Sequence, residues 1–147
     1  MSERFHENAF SGCFIYSVDE KNRVSIPPRF RRELERFVLT KGPDGCIWVL
    51  TGQQWRLIKE RVLGSVELQR FFVAPAEERI LGAKGRCLLP DHLRQHADIK
   101  PGDGVTIVGL GSRVEIWSSQ RWESVCAQLT TELVRQTLPE FFSEGVV

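Results

Sequence analysis

One pattern occurs twice in this chain, first as Val18-Asp19-Glu20-Lys21-Asn22-Arg23-Val24-Ser25-Ile26-Pro27-Pro28-Arg29-Phe30-Arg31 and again, 63 positions later, as Leu81-Gly82-Ala83-Lys84-Gly85-Arg86-Cys87-Leu88-Leu89-Pro90-Asp91-His92-Leu93-Arg94. In both copies a polar tip is followed by an apolar, strand-like step and then by a segment that begins with proline. The matching pairs are Arg23 with Arg86, Ile26 with Leu89, Pro27 with Pro90 and Arg31 with Arg94. Because internal repetition determines architecture, this pattern predicts one module present in two copies.

The repeat continues into two helices that carry tryptophan. Thr51 is a candidate N-cap, and Trp55, Ile58 and Val62 follow it at helical spacing. Ser118 takes the same role 67 positions after Thr51, and it precedes a matching apolar series of Trp122, Val125 and Leu129. The second copy therefore contains about four additional residues, which we place at 98–104 or 109–112.

Short strands and turns are predicted around these motifs. Residues 13–18 alternate like a strand, 19–22 have the composition of a turn, and 46–50 are typical of a short buried strand. Trp48 and Trp117 fall on short strands, and we interpret them as core residues rather than as exposed platforms for stacking bases.

A short helix is predicted after the first proline pair, because Phe30, Leu34 and Phe37 recur at helical spacing. Residues 130–142 form an amphipathic tail that we expect to be interrupted at Pro139. The predicted organisation is a loose arm at 1–10, a first repeat at 11–64, a helical connector at 65–76, a second repeat at 77–129 and a helical tail at 130–147.

Composition and charge limit the possible classes of protein. The 147 residues suffice for one compact domain or for two modules that share a core. The formal net charge is only +1, yet residues 21–41 hold seven basic and two acidic side chains, so the first copy carries the positive field. No apolar run could span a bilayer, and residues 1–7 are too polar for a secretory signal. These features favour a soluble intracellular protein with four reduced cysteines.

Catalytic and metal-binding patterns are weak. His92 and His96 are four residues apart, but neither the glutamate of a zinc protease nor an evident third ligand accompanies them. The glycines near 102–111 lack the lysine of a phosphate-binding loop, and no cysteine is spaced with a histidine as a nucleophile and base would be. We therefore predict neither an enzyme nor a bound cofactor or metal.

The repeated tip is the strongest candidate for function. Asp19 and Arg23 could simply stabilise a turn by pairing with each other, and for a single copy that interpretation would suffice. Two copies with arginine at the same place, each accompanied by Lys21 or Lys84, fit repeated contacts with nucleic acid better. Arginine presents a planar fork that matches phosphate oxygens or the major-groove edge of guanine.

These residues resemble the MraZ family of bacterial transcriptional regulators. The family carries two Asp-x-x-x-Arg motifs, and Asp19-Glu20-Lys21-Asn22-Arg23 matches the first of them. The Ile26-Pro27 step, the Arg-Phe-Arg segment at 29–31, and the segments 93–97 and 114–117 also fit, so that the resemblance covers roughly residues 11–142. It implies an α+β fold in which two AbrB-like repeats form a double-split, swapped-hairpin β-barrel with peripheral helices.

The resemblance also implies site residues and partners. Contact with DNA is expected from Lys21, Arg23, Arg29, Lys84 and Arg86, and structural roles in the motifs from Asp19, Asn22, Gly82 and Gly85. The second motif departs from the family because Gly82 replaces aspartate, so we assign the stronger DNA contact to the first tip.

The implied function is that of a sequence-specific regulator of the division and cell-wall gene cluster. It would act at the nucleoid and bind G-rich direct repeats upstream of its own operon as a ring-like homo-oligomer, an octamer or similar. The apolar tail and the connector with Phe71 and Phe72 favour self-assembly. The alternative is an AbrB-like antitoxin that combines DNA binding with neutralisation of a toxin.

Overall fold

The computed structural model describes residues 9–142, which form eight strands and five α-helices. The strands are β1 (Phe10–Ser17), β2 (Arg23–Ser25), β3 (Arg36–Gly42), β4 (Cys46–Leu50), β5 (Glu77–Ile80), β6 (Arg86–Leu88), β7 (Gly104–Gly111) and β8 (Val114–Ser118). The helices are α1 (Gly52–Arg61), α2 (Val66–Leu68, followed by a π-helical turn at Gln69–Val73), α3 (Asp91–Ala97), α4 (Ser119–Gln128) and α5 (Thr131–Phe141). A 3₁₀ turn at Pro28–Phe30 occupies the place of α3 in the first copy.

The two copies exchange their first strands. Six antiparallel strands form one sheet in the order β1-β7-β8-β4-β3-β5, so that β1 of the first copy pairs with the second copy and β5 pairs with the first. Exchanging the copies leaves this order unchanged, which defines a pseudo-twofold axis between β4 and β8. The predicted repeat and its shared sheet are confirmed. The sheet is open, however, with β1 and β5 at its edges. The predicted closure into a barrel is therefore not confirmed.

The second sheet consists of β2 and β6 alone, and it joins the copies at the same axis. Two equivalent backbone bonds flank it: the Ile26 N–H donates to Gly85 O at 2.8 Å, and the Leu89 N–H donates to Asn22 O at 2.9 Å. The side chain of Arg31 then donates to Ile26 O at 2.8 Å, as that of its repeat counterpart Arg94 does to Leu89 O at 3.3 Å. These arginines therefore hold the ends of the small sheet in place.

The main hydrophobic core underlies both sheets and takes residues from both copies. Its largest fully buried side chains are Phe10, Val18, Ile26, Phe30, Leu34, Leu39, Ile47, Leu89, Leu93, Ile107 and Ile116. Because the first strand of each copy lies in the sheet of the other, neither copy can bury its apolar residues alone.

A buried carboxylate ties the central strands together. Glu115 on β8 is only 3% exposed and accepts hydrogen bonds from the indole N–H groups of Trp48 (3.1 Å) and Trp117 (2.9 Å) and from Arg113 Nε (3.0 Å). The Arg113 guanidinium lies 4.3 Å from the centre of the Trp48 ring, and Phe72 of the connector stacks on the same ring at 5.2 Å. Since a buried charge is tolerated only when it is paired and hydrogen-bonded, this cluster satisfies Glu115 from both copies. The prediction that both tryptophans lie on strands is confirmed.

The predicted helix caps are also confirmed. The Thr51 hydroxyl accepts a hydrogen bond from Gln54 N at 3.2 Å, and that of Ser118 accepts one from Arg121 N at 3.3 Å. The additional residues of the second copy lie between β6 and β7, where α3 and the loop at 98–103 replace the 3₁₀ turn.

The prediction of a helix from Phe30, Leu34 and Phe37 is wrong. Only the 3₁₀ turn forms, and β3 begins at Arg36. Phe37 pairs with Arg79 of β5, so the ladder to the exchanged strand provides the backbone hydrogen bonds that a helix would have made. Three apolar residues at helical spacing do not distinguish these outcomes, since all three are buried in either case.

Two further boundaries differ from prediction. Phe10 belongs to β1 and is 1% exposed rather than part of a loose arm, and residues 1–8 of that arm lie outside the described residues. Helix α5 continues through Pro139 to Phe141 instead of stopping at the proline.

We predict that Gly85→Ala destabilises the protein by at least about 1–2 kcal/mol, the cost of a left-handed backbone for a residue with a Cβ atom. Gly85 has φ +71°, and an added Cβ would lie 2.3 Å from the guanidinium of Arg31, which would also have to move. Urea denaturation measures the change. Gly52→Ala is the control, because that glycine lies in α1 with no atom within 4 Å of an added Cβ, and the substitution should be neutral or slightly stabilising. Equal effects of the two substitutions would contradict this account.

Candidate nucleic-acid interface

The antiparallel pair of β2 and β6, here called the β2–β6 ribbon, has one buried and one exposed face. Val24 lies opposite Cys87, and both are buried in the core. Because side chains alternate across a strand, the neighbouring pairs point the other way. These outward pairs are Arg23 with Leu88 and Ser25 with Arg86.

The first loop is organised by the carboxylate of Asp19. Its Oδ1 accepts hydrogen bonds from the backbone N–H groups of Lys21 and Arg23, both at 2.9 Å, while its Oδ2 accepts one from Arg23 Nε at 2.9 Å. Asn22 adopts a left-handed conformation with φ 62° and closes the turn through its N–H to Asp19 O. Within residues 9–142, the two terminal nitrogens of Arg23 have no hydrogen-bond partner, so they remain available to an acceptor outside the chain.

These contacts lower the pKa of Asp19 below its usual value of 3.8. The main cause is the backbone hydrogen bond from Arg23. Desolvation opposes it by raising the pKa, and the side-chain bond from Arg23 and the backbone bond from Lys21 lower the pKa further. A carboxyl group whose pKa is lowered by folding stabilises the folded state above its unfolded pKa and stops doing so as the pH falls through the lower value. At neutral pH the Asp19 carboxylate is therefore charged and able to accept these hydrogen bonds.

The second loop makes the same turn without a carboxylate. Gly85 has φ +71° at the position of Asn22, and its N–H donates to Gly82 O at 2.9 Å. Arg86 instead approaches the aspartate of the first loop, with 4.0 Å between its terminal nitrogen and Asp19 Oδ2. One carboxylate thus lies beside two arginines, closely bonded to one and loosely paired with the other.

The remaining predicted residues divide into two groups. Lys21 and Lys84 are exposed at the tips of the two loops, next to the arginines of the ribbon. Arg29 lies elsewhere: its guanidinium donates to Ser11 O at 3.3 Å and sits 5.7 Å from the centre of the Phe14 ring, so its contacts are with β1. The structure brings the two loops together and sets Arg29 apart from them.

Sequence reasoning missed two features of this surface. Arg31 and Arg94 matched in the repeat, but their role in bonding the ends of the ribbon depends on a pairing of β2 with β6 that the repeat alone does not show. Leu88 is 50% exposed on the outward face, although its sequence neighbours indicate a core strand. The alternation Arg86-Cys87-Leu88 was the signal that could have identified it.

Other chemistry is not assembled here. His92 Nε2 lies 2.9 Å from Pro75 O, and His96 Nε2 lies 2.7 Å from Gly42 O, so the two rings bind different carbonyls. No cluster of three metal-binding side chains occurs within the described residues. The four cysteines are unpaired, and burial raises the pKa of the Cys87 thiol to about 12, which keeps it protonated at neutral pH. Among residues 9–142, no helix is long and apolar enough to cross a membrane.

Comparison with known proteins identifies relatives along most of the chain. A sequence model of the family described as "MraZ protein, putative antitoxin-like" matches residues 9–66 and 72–138. A protein of Carboxydothermus hydrogenoformans described as "Transcriptional regulator MraZ" is 39% identical over 142 residues, which cover 90% of this chain and 98% of the relative. Proteins with the same description from Caldanaerobacter subterraneus subsp. tengcongensis (39% over 140 residues, 88% and 96% covered) and Heliobacterium modesticaldum (40% over 121 residues, 77% and 83% covered) are similar.

We predict that Asp19→Asn lowers the urea midpoint at pH 7, because the amide cannot replace the charged acceptor of the first loop. The difference from wild type should shrink as the pH falls below 3.8, because the carboxyl group is then protonated in the unfolded chain, whereas the folded state, with its lower pKa, resists protonation. Asp44→Asn is the matched control, since Asp44 is exposed and its side chain has no hydrogen bond within residues 9–142. A deficit of Asp19→Asn that stays constant down to pH 2 would show that charge is not the cause.

Proposed function

The chain belongs to the MraZ family, and we propose that it is a DNA-binding transcriptional regulator whose β2–β6 ribbon contacts double-stranded DNA. The observation that carries this proposal is the pairing of the two motif arginines on one outward face. Arg23 and Arg86 come from different copies, yet in the register of the ribbon they lie diagonally across its two outward pairs, which the inward pair of Val24 and Cys87 separates. A two-stranded ribbon of this kind fits the major groove of B-DNA.

Local charge supports contact with phosphate. The two loops carry four basic side chains, Lys21, Arg23, Lys84 and Arg86, against the acidic Asp19 and Glu20. The net local charge is therefore +4 − 2 = +2, whereas the whole chain has a formal net charge of +1. The loops beside the ribbon are thus more positive than the chain as a whole, which favours attraction to DNA at this surface.

Rigidity supports base reading. Arg23 and Arg86 lie on strands whose ends are fixed by backbone bonds across the pseudo-twofold axis and by the side chains of Arg31 and Arg94. Arg23 is further oriented by Asp19. Side chains that are ordered before binding lose less conformational entropy when they bind, so the forks can select guanine instead of merely neutralising phosphate.

The target we propose is a set of G-rich direct repeats upstream of the chain's own operon, in the division and cell-wall gene cluster, with the protein acting at the nucleoid. This part of the proposal is supported by the family resemblance and by the guanine preference of arginine forks. Lys21, Lys84 and Ser25 would contact the phosphates and base edges beside the two arginines. Arg29, which packs on β1, would contact at most the flanking phosphates.

Self-assembly would place several ribbons on one DNA. Helix α5 and the residues at its two ends form an exposed apolar face, of which Phe141 is 75% exposed. Its members are Leu129 before the helix, Leu133, Val134, Leu138 and Phe141 within it, and Phe142 after it. A second apolar surface lies in a groove between α1 and the connector, where Leu63 is 73% and Val66 is 53% exposed. We propose that α5 of one protein chain occupies this groove of the neighbouring chain in the assembly. A contact between two different surfaces closes into a ring when the rotation permits it.

An antitoxin role is the second candidate, and it is favoured by the description of the family as antitoxin-like. In that role α5 would bind a toxin instead of a second protein chain. Purification of the native protein distinguishes the two, because self-assembly gives a single polypeptide at a mass several times that of the chain. A stoichiometric second protein at the α5 face would favour the antitoxin.

We predict that binding to the upstream DNA weakens with salt, and more steeply as repeats are added. Four basic residues per ribbon give a log–log slope on the order of −4 for one chain on one repeat, and several chains give a proportionally steeper slope. Fluorescence anisotropy on DNA with one, two and four repeats measures the slopes. A slope that is independent of repeat number would contradict multivalent binding.

Val134→Asp, on the apolar face of α5, serves as the assembly-defective variant. It should lower the mass measured by light scattering and abolish the steepening while leaving the single-repeat slope unchanged. Gln136→Asp introduces the same charge on the polar face of α5. It removes only an exposed hydrogen bond to Glu132, so it should change neither the mass nor the steepening of the slope. If wild type is already a monomer at micromolar concentration, the ring is ruled out.

We predict that Arg23→Ala weakens DNA binding more than Arg86→Ala, because only Arg23 is closely bonded to Asp19. Loss of a bidentate base contact corresponds to about 1–3 kcal/mol, or roughly 5- to 150-fold in affinity. Gel shifts at one salt concentration measure the losses, and Arg56→Ala, which removes an exposed charge on α1, is the control. Equal losses from Arg23→Ala and Arg86→Ala would show that Gly82 has no effect on the second loop.

Gly82→Asp tests the same point by restoration. A Cβ at residue 82 would meet only Arg86 O, at 3.9 Å, so the aspartate fits without backbone strain. In this background Arg86→Ala should become about as harmful as Arg23→Ala. If instead Gly82→Asp weakens binding, the added negative charge outweighs any ordering of Arg86.

A further inference from the structure

We propose that Leu88 recognises the 5-methyl group of a thymine when the β2–β6 ribbon lies in the major groove. This inference rests on the proposed function and concerns sequence discrimination at the same site. Leu88 would make the ribbon selective for thymine at a defined position beside the bases that Arg23 and Arg86 contact.

The first observation is the position of Leu88. It lies directly opposite Arg23 in the ribbon and two residues from Arg86, with all three on the outward face. It is 50% exposed, and it cannot turn into the core because Val24 and Cys87 occupy the inner face. An apolar side chain is therefore held between two arginines on the surface proposed to meet DNA.

The second observation is the repeat itself. Leu88 corresponds to Ser25, just as Arg86 corresponds to Arg23. The two halves of the ribbon thus present the same guanidinium but different neighbours: one hydroxyl, which can donate or accept a hydrogen bond, and one apolar branch, which can do neither. The contacts made by the second half must therefore differ in chemistry from those made by the first.

The chemistry of the groove then selects the ligand. A ribbon that brings Arg23 and Arg86 to base edges also covers Leu88. In the major groove, the apolar group displayed by the bases is the methyl of thymine, whereas the other recognition groups are hydrogen-bond donors and acceptors. Against those polar groups a covered leucine would displace water without replacing its hydrogen bonds. The thymine methyl is the partner that avoids this cost.

The test compares two forms of the upstream DNA fragment, one amplified with thymine and one with deoxyuridine, which lacks only the 5-methyl group. Wild type should bind the uracil form roughly fourfold more weakly for each contacted thymine, the value expected for one buried methyl-sized group. Leu88→Ser, which gives both halves of the ribbon the same residue, should bind the two forms equally. Leu110→Ser is the control, because Leu110 is a comparably exposed leucine on β7, outside the ribbon, and it should retain the preference.

The outcomes separate this inference from the function on which it rests. If wild type binds both DNAs equally while Arg23→Ala abolishes binding, thymine recognition is overturned and DNA binding by the ribbon stands. A preference that persists in Leu88→Ser would overturn it as well, because the uracil effect would then come from the DNA or from another residue. If wild type binds neither DNA, both proposals fail. Melting curves for each variant ensure that the losses are not due to unfolding.

Discussion

The pairing of β2 with β6 is the contact on which the arrangement of this protein depends. It is short, with three residues on each strand, but it joins the two copies where their loops emerge and is extended at both ends by equivalent backbone and arginine bonds. The exchange of β1 and β5 makes the same connection in the large sheet. Since each copy completes the other at both places, separating them would expose the common core, and the relative position of the two loops is fixed with the fold.

Features set by local sequence could be predicted from the residues themselves. Features set by pairing between the copies could not, and the expectation of a shared sheet came from the family resemblance. The repeat, the Thr51 and Ser118 caps and the strands of Trp48 and Trp117 follow from spacing and side-chain chemistry. The prediction of a helix after Pro28 was wrong, because the apolar spacing of this segment suits a helix, whereas its backbone partners belong to β5. Arg29 shares the charge of the ribbon arginines, but its position depends on β1. The closed barrel came from the family resemblance, and the described strands leave the sheet open.

The candidate site shows how one carboxylate can serve a duplicated motif. Asp19 accepts three close hydrogen bonds from its own loop and still lies 4.0 Å from the arginine of the other. The turn of the second loop persists because Gly85 supplies the left-handed conformation and needs no side-chain acceptor. With glycine at residue 82, the second loop keeps its backbone turn, and the carboxylate near Arg86 is that of Asp19, at 4.0 Å.

Covalent linkage of the two copies has a consequence for the direction in which the ribbon would read DNA. Two identical chains related by a true twofold axis must present the same residue on both sides, and so they match palindromic sites. Here a single chain builds the same arrangement from unequal halves, with Asp19 against Gly82 and Ser25 against Leu88. Such a ribbon has polarity: rotating it by half a turn exchanges chemically different side chains. A DNA-binding ribbon with polarity suits sites that all point the same way along the duplex, and the unequal side chains of the two copies are what give the ribbon that polarity.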